Sequence, residues 1–386
     1  MPHIANSVPA MQSSPLPLFL PNGQALLLQA LDGHVLNLTG TGETARIDGS
    51  LATSVSALAH GKAETRDRQR LAVLERQHAW LQGLSRAQTT PPQGLARTLL
   101  RSELGMLFVE VTAKCNERCI HCYADSDPDR TDFLSLDEII AALDQAREFG
   151  RAFVQFTGGD PLLHSQLPEA VAHAAGLDFD GIEIYTNGLL LNDRLLDKLA
   201  EYQPRFSFSI YGDLPDIHDA ITKVPGSWRR TLDAMRRAMQ AGLEVRAGIA
   251  LMPENIARAE HMSAFLENEL GLDERQIRFD PVKQTGRGRF MDEVTQVLVS
   301  PNAHSSNKGS RGKLCISADG NVYPCIFARH NVLGNVRQQP LATIMTALDS
   351  RPPVVPSPER WQRCQQSLSC GDCQIISYII GEDGHE

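Results

Sequence analysis

Three cysteines lie within eight residues, Cys115-x-x-x-Cys119-x-x-Cys122, directly after the apolar run Leu107–Thr112. Three thiols so close cannot all pair as disulfides, so ligation of a metal or cluster is the chemistry their spacing offers. Thiolate sulfur is soft and selects zinc, copper(I) or iron–sulfur clusters. A set of three leaves one coordination position open to something other than protein, which points to a catalyst. The other five of the eight cysteines, Cys315, Cys325, Cys364, Cys370 and Cys373, gather towards the C-terminus. In a reducing compartment this clustering reads as ligation and not as a disulfide frame.

Composition sets the frame around these residues. A chain of 386 residues divides into two or three domains. With 42% hydrophobic and 22% charged residues it has the make-up of an ordinary soluble enzyme. The net charge of −9 argues against a nucleic-acid partner, because phosphate binding needs a basic face. The N-terminus lacks a secretory pattern, and no apolar run approaches the roughly 20 residues that span a bilayer. The expectation is a cytoplasmic protein with no membrane partner.

Between the two cysteine groups, short apolar runs alternate with amphipathic stretches of helical length, the pattern of parallel strands with crossover helices. Strands are expected at Leu107–Thr112, Phe153–Thr157, Ile182–Tyr185, Phe206–Ile210, Val245–Leu251 and Gln276–Phe279. Helices are expected near 136–149, 167–175, 193–202, 228–241 and 257–269. Ser135 and Glu138 form a capping box for the first, and Gly150 stops it. Six such units are too few for an eight-fold barrel, so a partial barrel and an open parallel sheet both fit. Either way, chemistry belongs at the C-terminal strand ends. The cysteine trio sits there, as do Gly158-Gly159-Asp160-Pro161, Thr186-Asn187-Gly188 and Tyr211-Gly212.

Cys115-Asn-Glu-Arg-Cys119-Ile-His-Cys122-Tyr123 resembles the signature of the radical S-adenosylmethionine (radical SAM) superfamily, with His121 in the usual aromatic position. The resemblance implies a partial (βα)6 TIM-like barrel of α/β class. It implies a [4Fe–4S] cluster held by Cys115, Cys119 and Cys122, whose fourth iron chelates S-adenosylmethionine and generates a 5′-deoxyadenosyl radical. Gly158, Gly159 and Asp160 resemble the family's Gly-Gly-Glu-Pro motif that binds the cofactor's amino group, with Asp in place of Glu. By the same resemblance Ser209 meets the ribose, His121 and Tyr123 line the cofactor, and Asn187 and Ile249 contact it. Asn187 also reads as a turn residue and Ile249 as core. His218 and Asp219 read as local capping residues. Gly286-Arg287-Gly288 either binds a carboxylate or forms a flexible loop.

Cys315-Ile-Ser-Ala-Asp-Gly320-Asn-Val-Tyr-Pro-Cys325 resembles the start of a SPASM or shorter twitch extension, in which auxiliary iron–sulfur clusters are held. Gly320 and Val322 suit a hairpin that brings both thiols to one side. Two fully ligated four-iron clusters need about eight thiolates, and this region has five. One auxiliary [4Fe–4S] cluster on Cys315, Cys325, Cys370 and Cys373 is the expectation. Cys364 is left over, or serves a second, incompletely ligated cluster. Where a complete pattern has another cysteine, this chain has Trp361.

Three domains are therefore expected: 1–95, a small α+β domain; 96–299, the barrel; and 300–386, the iron–sulfur extension. In the first, short antiparallel strands precede helices expected over 51–59 and 65–83. Leu36-Asn37-Leu38-Thr39-Gly40 with Asp48-Gly49 resembles leader-binding domains, which capture a precursor peptide by adding a strand to a sheet edge; an unrelated small α+β cap is the alternative. The function implied is oxidative crosslinking or thioether formation in a ribosomally made precursor peptide. A flavodoxin- or ferredoxin-type protein would supply the electron. The alternative is a radical SAM dehydrogenase acting on a small molecule. Ile326, where sulfatase maturases carry a catalytic carboxylate, counts against that relative.

Overall fold

The computed structural model describes residues 16–22, 24–31, 33–38, 44–91, 104–150, 152–283, 285–291 and 312–347. Cys364, Cys370, Cys373 and Trp361 lie outside the described residues.

The chain forms two compact units. In the first, β1 (Leu18–Phe19), β2 (Ala25–Leu31), β3 (Gly33–Leu38) and β4 (Thr44–Ile47) make an antiparallel sheet in chain order. Two helices follow, α1 (Gly49–Ala59) and α2 (Thr65–Gln77). Asp48 caps α1 by accepting from the Ser50 and Leu51 amides. Leu20, Leu26 and Leu36 from the sheet side, with Val55, Leu58, Leu71 and Leu74 from the helices, form its core. The second helix is shorter than expected. It ends at His78, and two 3-10 turns separated by the left-handed Gly83 continue the chain.

The second unit carries the chemistry-bearing residues. Six parallel strands run in chain order: β5 (Leu104–Thr112), β6 (Phe153–Gly158), β7 (Gly181–Thr186), β8 (Arg205–Ser209), β9 (Val245–Leu251) and β10 (Ile277–Pro281). The crossover helices are α3 (Leu136–Arg147), α4 (Leu167–Gly176), α5 (Asp193–Ala200), α6 (Pro215–Thr222), α7 (Ser227–Gln240) and α8 (Ala259–Leu270). This is the partial (βα)6 arrangement. The capping box at α3 forms as expected, with Ser135 Oγ accepting from the Glu138 amide and Glu138 Oε2 from the Ser135 amide. One helix was missed: α6 is eight residues long and starts with a proline, so its apolar periodicity is too short to stand out.

Beyond β10 the sheet continues on its other side. β11 (Gly312–Ile316) pairs parallel with β5, followed by antiparallel β12 (Asn321–Tyr323) and β13 (Gly334–Asn335). One nine-stranded sheet therefore runs from the barrel into the extension, in the order β10-β9-β8-β7-β6-β5-β11-β12-β13. A final helix, α9 (Leu341–Ala347), packs near α3. Arg337 ties the extension to α3, donating to Glu138 Oε1 at 2.7 Å and to the Phe133 carbonyl at 2.7 Å.

Strand alternation divides the barrel residues between two environments. Val154, Phe156, Ile184, Phe206 and Phe208 are fully buried apolar residues. Their neighbours on the opposite strand face are polar and meet one another. Glu183 accepts from Gln155 Nε2 at 3.1 Å and from Arg205 Nε at 3.0 Å, and Ser207 donates to it as well. No helix among the described residues is long and apolar enough to cross a membrane.

Candidate metal centre and active site

The loop that follows β5 is held by backbone contacts from three other parts of the barrel. The Cys115 amide donates to the Asp127 carbonyl, and the Arg118 and Ile120 amides donate to the Thr222 and Ile221 carbonyls at the end of α6. From β6, the Gly159 amide donates to the Thr112 carbonyl at 2.7 Å and the Asp160 amide to the Lys114 carbonyl at 2.9 Å. The glycine pair is sterically required. A Cβ on Gly158 would stand 2.2 Å from the Thr112 carbonyl oxygen, and one on Gly159 would stand 2.1 Å from that of Lys114. Gly158 also has φ +138°, which L side chains rarely adopt.

From beyond β10 comes the third clasp. The Arg287 amide donates to the Cys122 carbonyl, its Nε to the Cys119 carbonyl at 2.8 Å, and its Nη2 to the Ser126 carbonyl at 2.9 Å. Gly286-Arg287-Gly288 is thus not a loose loop, and Arg287 Nη1 stands 3.9 Å from the Asp125 carboxylate. The segment is a 3-10 turn that closes onto the cysteine loop.

Within the loop Cys115 and Cys119 are buried and Cys122 is partly so. Burial, with the nearby Asp160 and Glu117, pushes the Cys115 thiol up; burial, Glu117 and the other two cysteines do the same for Cys119. Thiols so placed give up their protons only to a cation that replaces them. The residues fit an iron–sulfur centre on two further observations. The donor set is all sulfur, and buried polar atoms around it lack partners, among them Glu117 Oε1 and His121 Nδ1. No three of the described His, Cys, Asp or Glu side chains stand ready to hold a single metal ion. A cuboidal cluster spreads its ligand sulfurs farther apart than one ion does.

The other expected residues divide. Asp160 is fully buried beside the loop: its Oδ2 accepts from Thr186 Oγ1 at 2.7 Å and the Asn187 amide at 2.9 Å, and its Oδ1 from the Leu162 amide at 3.0 Å. Burial raises its pKa to about 6, against those three hydrogen bonds. Asn187 Nδ2 donates to Asn116 Oδ1 at 2.6 Å and lies 3.9 Å from Cys115 Sγ. His121 meets Tyr211 edge to face, with centroids 4.6 Å apart; burial, then Arg287 and His218, lower its pKa to about 4. Ser209 interacts with both Tyr185 and Tyr211 through its hydroxyl.

Two expected cofactor contacts stand elsewhere. Ile249 is buried on the opposite face of β9 from Ala250, and it is Ala250 that packs in the group of Cys119, Tyr211 and Met252. Tyr123 turns towards the extension, where its ring meets Phe327 at 5.4 Å in the group containing Cys315 and Cys325. His218 and Asp219 act locally. His218 Nδ1 accepts from the Tyr211 amide, and Asp219 Oδ1 accepts from the Trp228 amide and Ser227 Oγ at the start of α7.

At the extension, Cys315 pairs with Tyr323 across the β11–β12 hairpin, and Cys325 lies two residues beyond. Both cysteines are buried in one group with Tyr323, Ile326 and Ala328. The hairpin brings the two thiols together; the remaining expected ligands lie outside the described residues.

Glu110, Glu117, Glu183 and Arg329 were not anticipated. Two of them, Glu110 and Glu183, carried a signal: the strands read Val-Glu-Val, Val-Gln-Phe, Ile-Glu-Ile and Phe-Ser-Phe, and such alternation marks a polar barrel interior under an apolar outer face. Nothing local marks Arg329, whose partner is 219 residues away.

The comparisons with known proteins agree with this geometry. Residues 109–266 match the radical SAM superfamily, and residues 308–374 match the SPASM iron–sulfur cluster-binding domain. Fe-coproporphyrin III synthase of Methanosarcina barkeri is 23% identical over 316 residues, 66% of this chain and 79% of that protein. The subtilosin biosynthesis protein AlbA of Bacillus subtilis is 23% identical over 255 residues, 59% and 56% of the two chains. An AdoMet-dependent heme synthase of Oleidesulfovibrio alaskensis is 30% identical over 161 residues, 41% of each. The chain therefore matches about half the length of these last two relatives. Streptococcus suis SuiB bound to S-adenosylmethionine shares the fold, with a TM-score of 0.53 at 14% identity, covering 92% of this chain and 94% of that one.

The cofactors that follow are a [4Fe–4S] cluster, S-adenosylmethionine and auxiliary iron–sulfur ligation. The chain belongs to the radical SAM superfamily and carries a SPASM domain after its (βα)6 barrel.

Proposed function

We propose that this enzyme oxidatively modifies a ribosomally made precursor peptide, forming a crosslink or thioether. The observation that carries this reading is the unit ahead of the barrel, an antiparallel sheet followed by two helices. The fold shared with SuiB spans 93% of this chain, and SuiB has been solved bound to its precursor peptide SuiA. AlbA, named for bacteriocin biosynthesis, supports the same substrate class. In this reading a leader segment adds a strand at β4, which ends the described sheet.

When bound, the cluster and S-adenosylmethionine supply a carbon radical that takes a hydrogen atom from the substrate. Cys115, Cys119 and Cys122 would hold the cluster. Gly158 and Gly159 keep the loop against β6, and Asp160 and Asn187 fix the neighbouring strand ends. Tyr211 packs beside Cys119 and meets the neutral ring of His121 edge to face. The auxiliary centre on Cys315, Cys325, Cys370 and Cys373 would accept the electron left after bond formation, and a flavodoxin- or ferredoxin-type donor would reduce the first centre.

The similarity to heme synthases gives the second reading, a small-molecule substrate. Anaerobic incubation with dithionite, S-adenosylmethionine and candidate peptides, followed by mass spectrometry, separates the two. Loss of two hydrogens from a peptide alongside 5′-deoxyadenosine is the expected result. Deoxyadenosine with every peptide unchanged favours the small molecule.

A further inference from the structure

Between the two cysteine sites lies an ion pair, a buried carboxylate with a part-buried guanidinium, that has no place in the chemistry above. Glu110 is on β5, and only 3% of it is exposed. Its carboxylate pairs with Arg329, four residues beyond Cys325. Arg329 Nε donates to the Ile326 carbonyl at 3.1 Å, which ties the guanidinium to the turn after that cysteine. The guanidinium lies over two rings, 5.3 Å from the centroid of Tyr123 and 5.4 Å from that of Tyr323. Tyr123 follows Cys122, and Tyr323 is the cross-strand partner of Cys315.

A carboxylate is costly to bury, and it is retained here only with its cation beside it. Burial drives the Glu110 carboxyl up and Arg329 draws it back. Cys315 stands beside Phe108 in the β11–β5 register, two residues from Glu110 on the same strand face, and the guanidinium lies over the ring of its cross-strand partner Tyr323. The potential of an iron–sulfur centre follows the charge, hydrogen bonding and exposure around it. A nearby cation favours the reduced, more negative cluster, and a nearby anion favours the oxidised one.

We propose that Glu110 and Arg329 act on the reduction potential of the auxiliary iron–sulfur centre in opposite directions, so that each charge balances the other and the intact pair leaves the centre poised. They are positioning residues: neither is a ligand, and each acts through the field at Cys315. The pair also brackets Tyr123, so the setting is made at the seam between the first cysteine loop and the auxiliary hairpin. The proposal rests on an auxiliary cluster being bound through Cys315 and Cys325.

The test uses the full chain, reconstituted anaerobically, with Cys119→Ala introduced so that the auxiliary signal stands alone. Iron content and the midpoint potential from an EPR-monitored redox titration are read for this parent, for Glu110→Gln, for Arg329→Gln and for the double variant. Glu110→Gln is expected to move the midpoint upwards and Arg329→Gln downwards. The neutral double variant should return close to the parent. Shifts of the same sign, or an unmoved midpoint in Glu110→Gln with iron content intact, overturn the proposal, since a merely structural role predicts no signed pattern. If Arg329→Gln does not fold, Arg329→Lys keeps the charge and must retain the parent midpoint, while near-isosteric Glu110→Gln still decides the sign. A parent with no auxiliary iron would overturn the cluster reading itself, which the iron content shows separately.

Discussion

The two cysteine sites of this protein are built in opposite ways. The first is one continuous loop whose ligand spacing is local, yet its shape is imposed from outside by β6, the end of α6 and the turn after β10. The second shapes itself, because hairpin pairing places Cys315 opposite Tyr323, with Cys325 just beyond. It draws its placement from the parallel pairing of β11 with β5, with Arg337 tied to Glu138 and Arg329 to Glu110. Both sites have buried polar atoms without partners, Glu117 Oε1 and His121 Nδ1 at the first and Tyr123 Oη at the second, but the second also has aromatic rings under a guanidinium and an ion pair. Ligand spacing and ligand geometry are thus separate problems. A short motif solves the first, and only supporting contacts solve the second.

The sharpest way to break that contrast is to empty one site at a time. Cys119→Ala should abolish 5′-deoxyadenosine formation while leaving auxiliary iron in place. Cys325→Ala should lose auxiliary iron while the first centre still releases deoxyadenosine. Metal analysis and chromatography read both; loss of all iron in either variant would show that the sites do not load independently.

Gly159→Ala comes next. Its new Cβ would meet the Lys114 carbonyl oxygen at 2.1 Å, and backbone cannot yield as a flexible side chain can. We expect overpacking to cost about 3 kcal/mol and to impair loading of the first centre alone. Denaturant melts with iron counting measure the two effects, and unchanged loading would remove β6 from the list of supports.

Arg287→Met should have a smaller effect on the same loop. It forfeits two hydrogen bonds to the Cys119 and Ser126 carbonyls, roughly 1–3 kcal/mol in all. First-centre reconstitution should slow while the auxiliary centre loads normally, and Arg287→Lys should restore part of the rate. Equal slowing at both centres would argue against a clasp specific to the first loop.

The smallest effect is a pH dependence. Burial holds His218 neutral, lowering its pKa from 6.5 to about 4, so the unfolded chain binds the proton first. Stability is therefore lost as pH falls through the window from 6.5 to about 4. Asp160, raised from 3.8 to about 6, tilts the other way across its own window, with stability falling as pH rises. The informative quantity is the difference between parent and His218→Gln. On going from pH 7 to pH 5 the parent should lose roughly 2 kcal/mol more than the variant. Parallel melting curves would show that His218 does not contribute.

Much of the fold was legible because hydrophobic runs, caps and glycine stops are local signals. The six barrel strands appear in the expected order, and Ser135 and Glu138 cap α3 as read. The element that was lost, α6, is short and begins with proline. In the site, the cysteine trio and the paired glycines were legible from spacing alone. Ile249 was misplaced because an apolar strand residue gives no sign of which face it takes, whereas its neighbour Ala250 is turned to the cysteine side. Tyr123 was read with the cofactor because it adjoins Cys122, yet its ring belongs to the auxiliary group.

From residue order alone came the cysteine trio, the strand–helix alternation and the glycine turn after the second barrel strand. These depend on chemistry and periodicity within a few residues. The tertiary structure decided the joining of the extension to β5, the closing turn of Arg287 and the meeting of Glu110 with Arg329. Each unites groups far apart in the chain, 219 residues for the ion pair. No local propensity encodes such a contact, because its stability exists only once the sheet has brought both partners out of water.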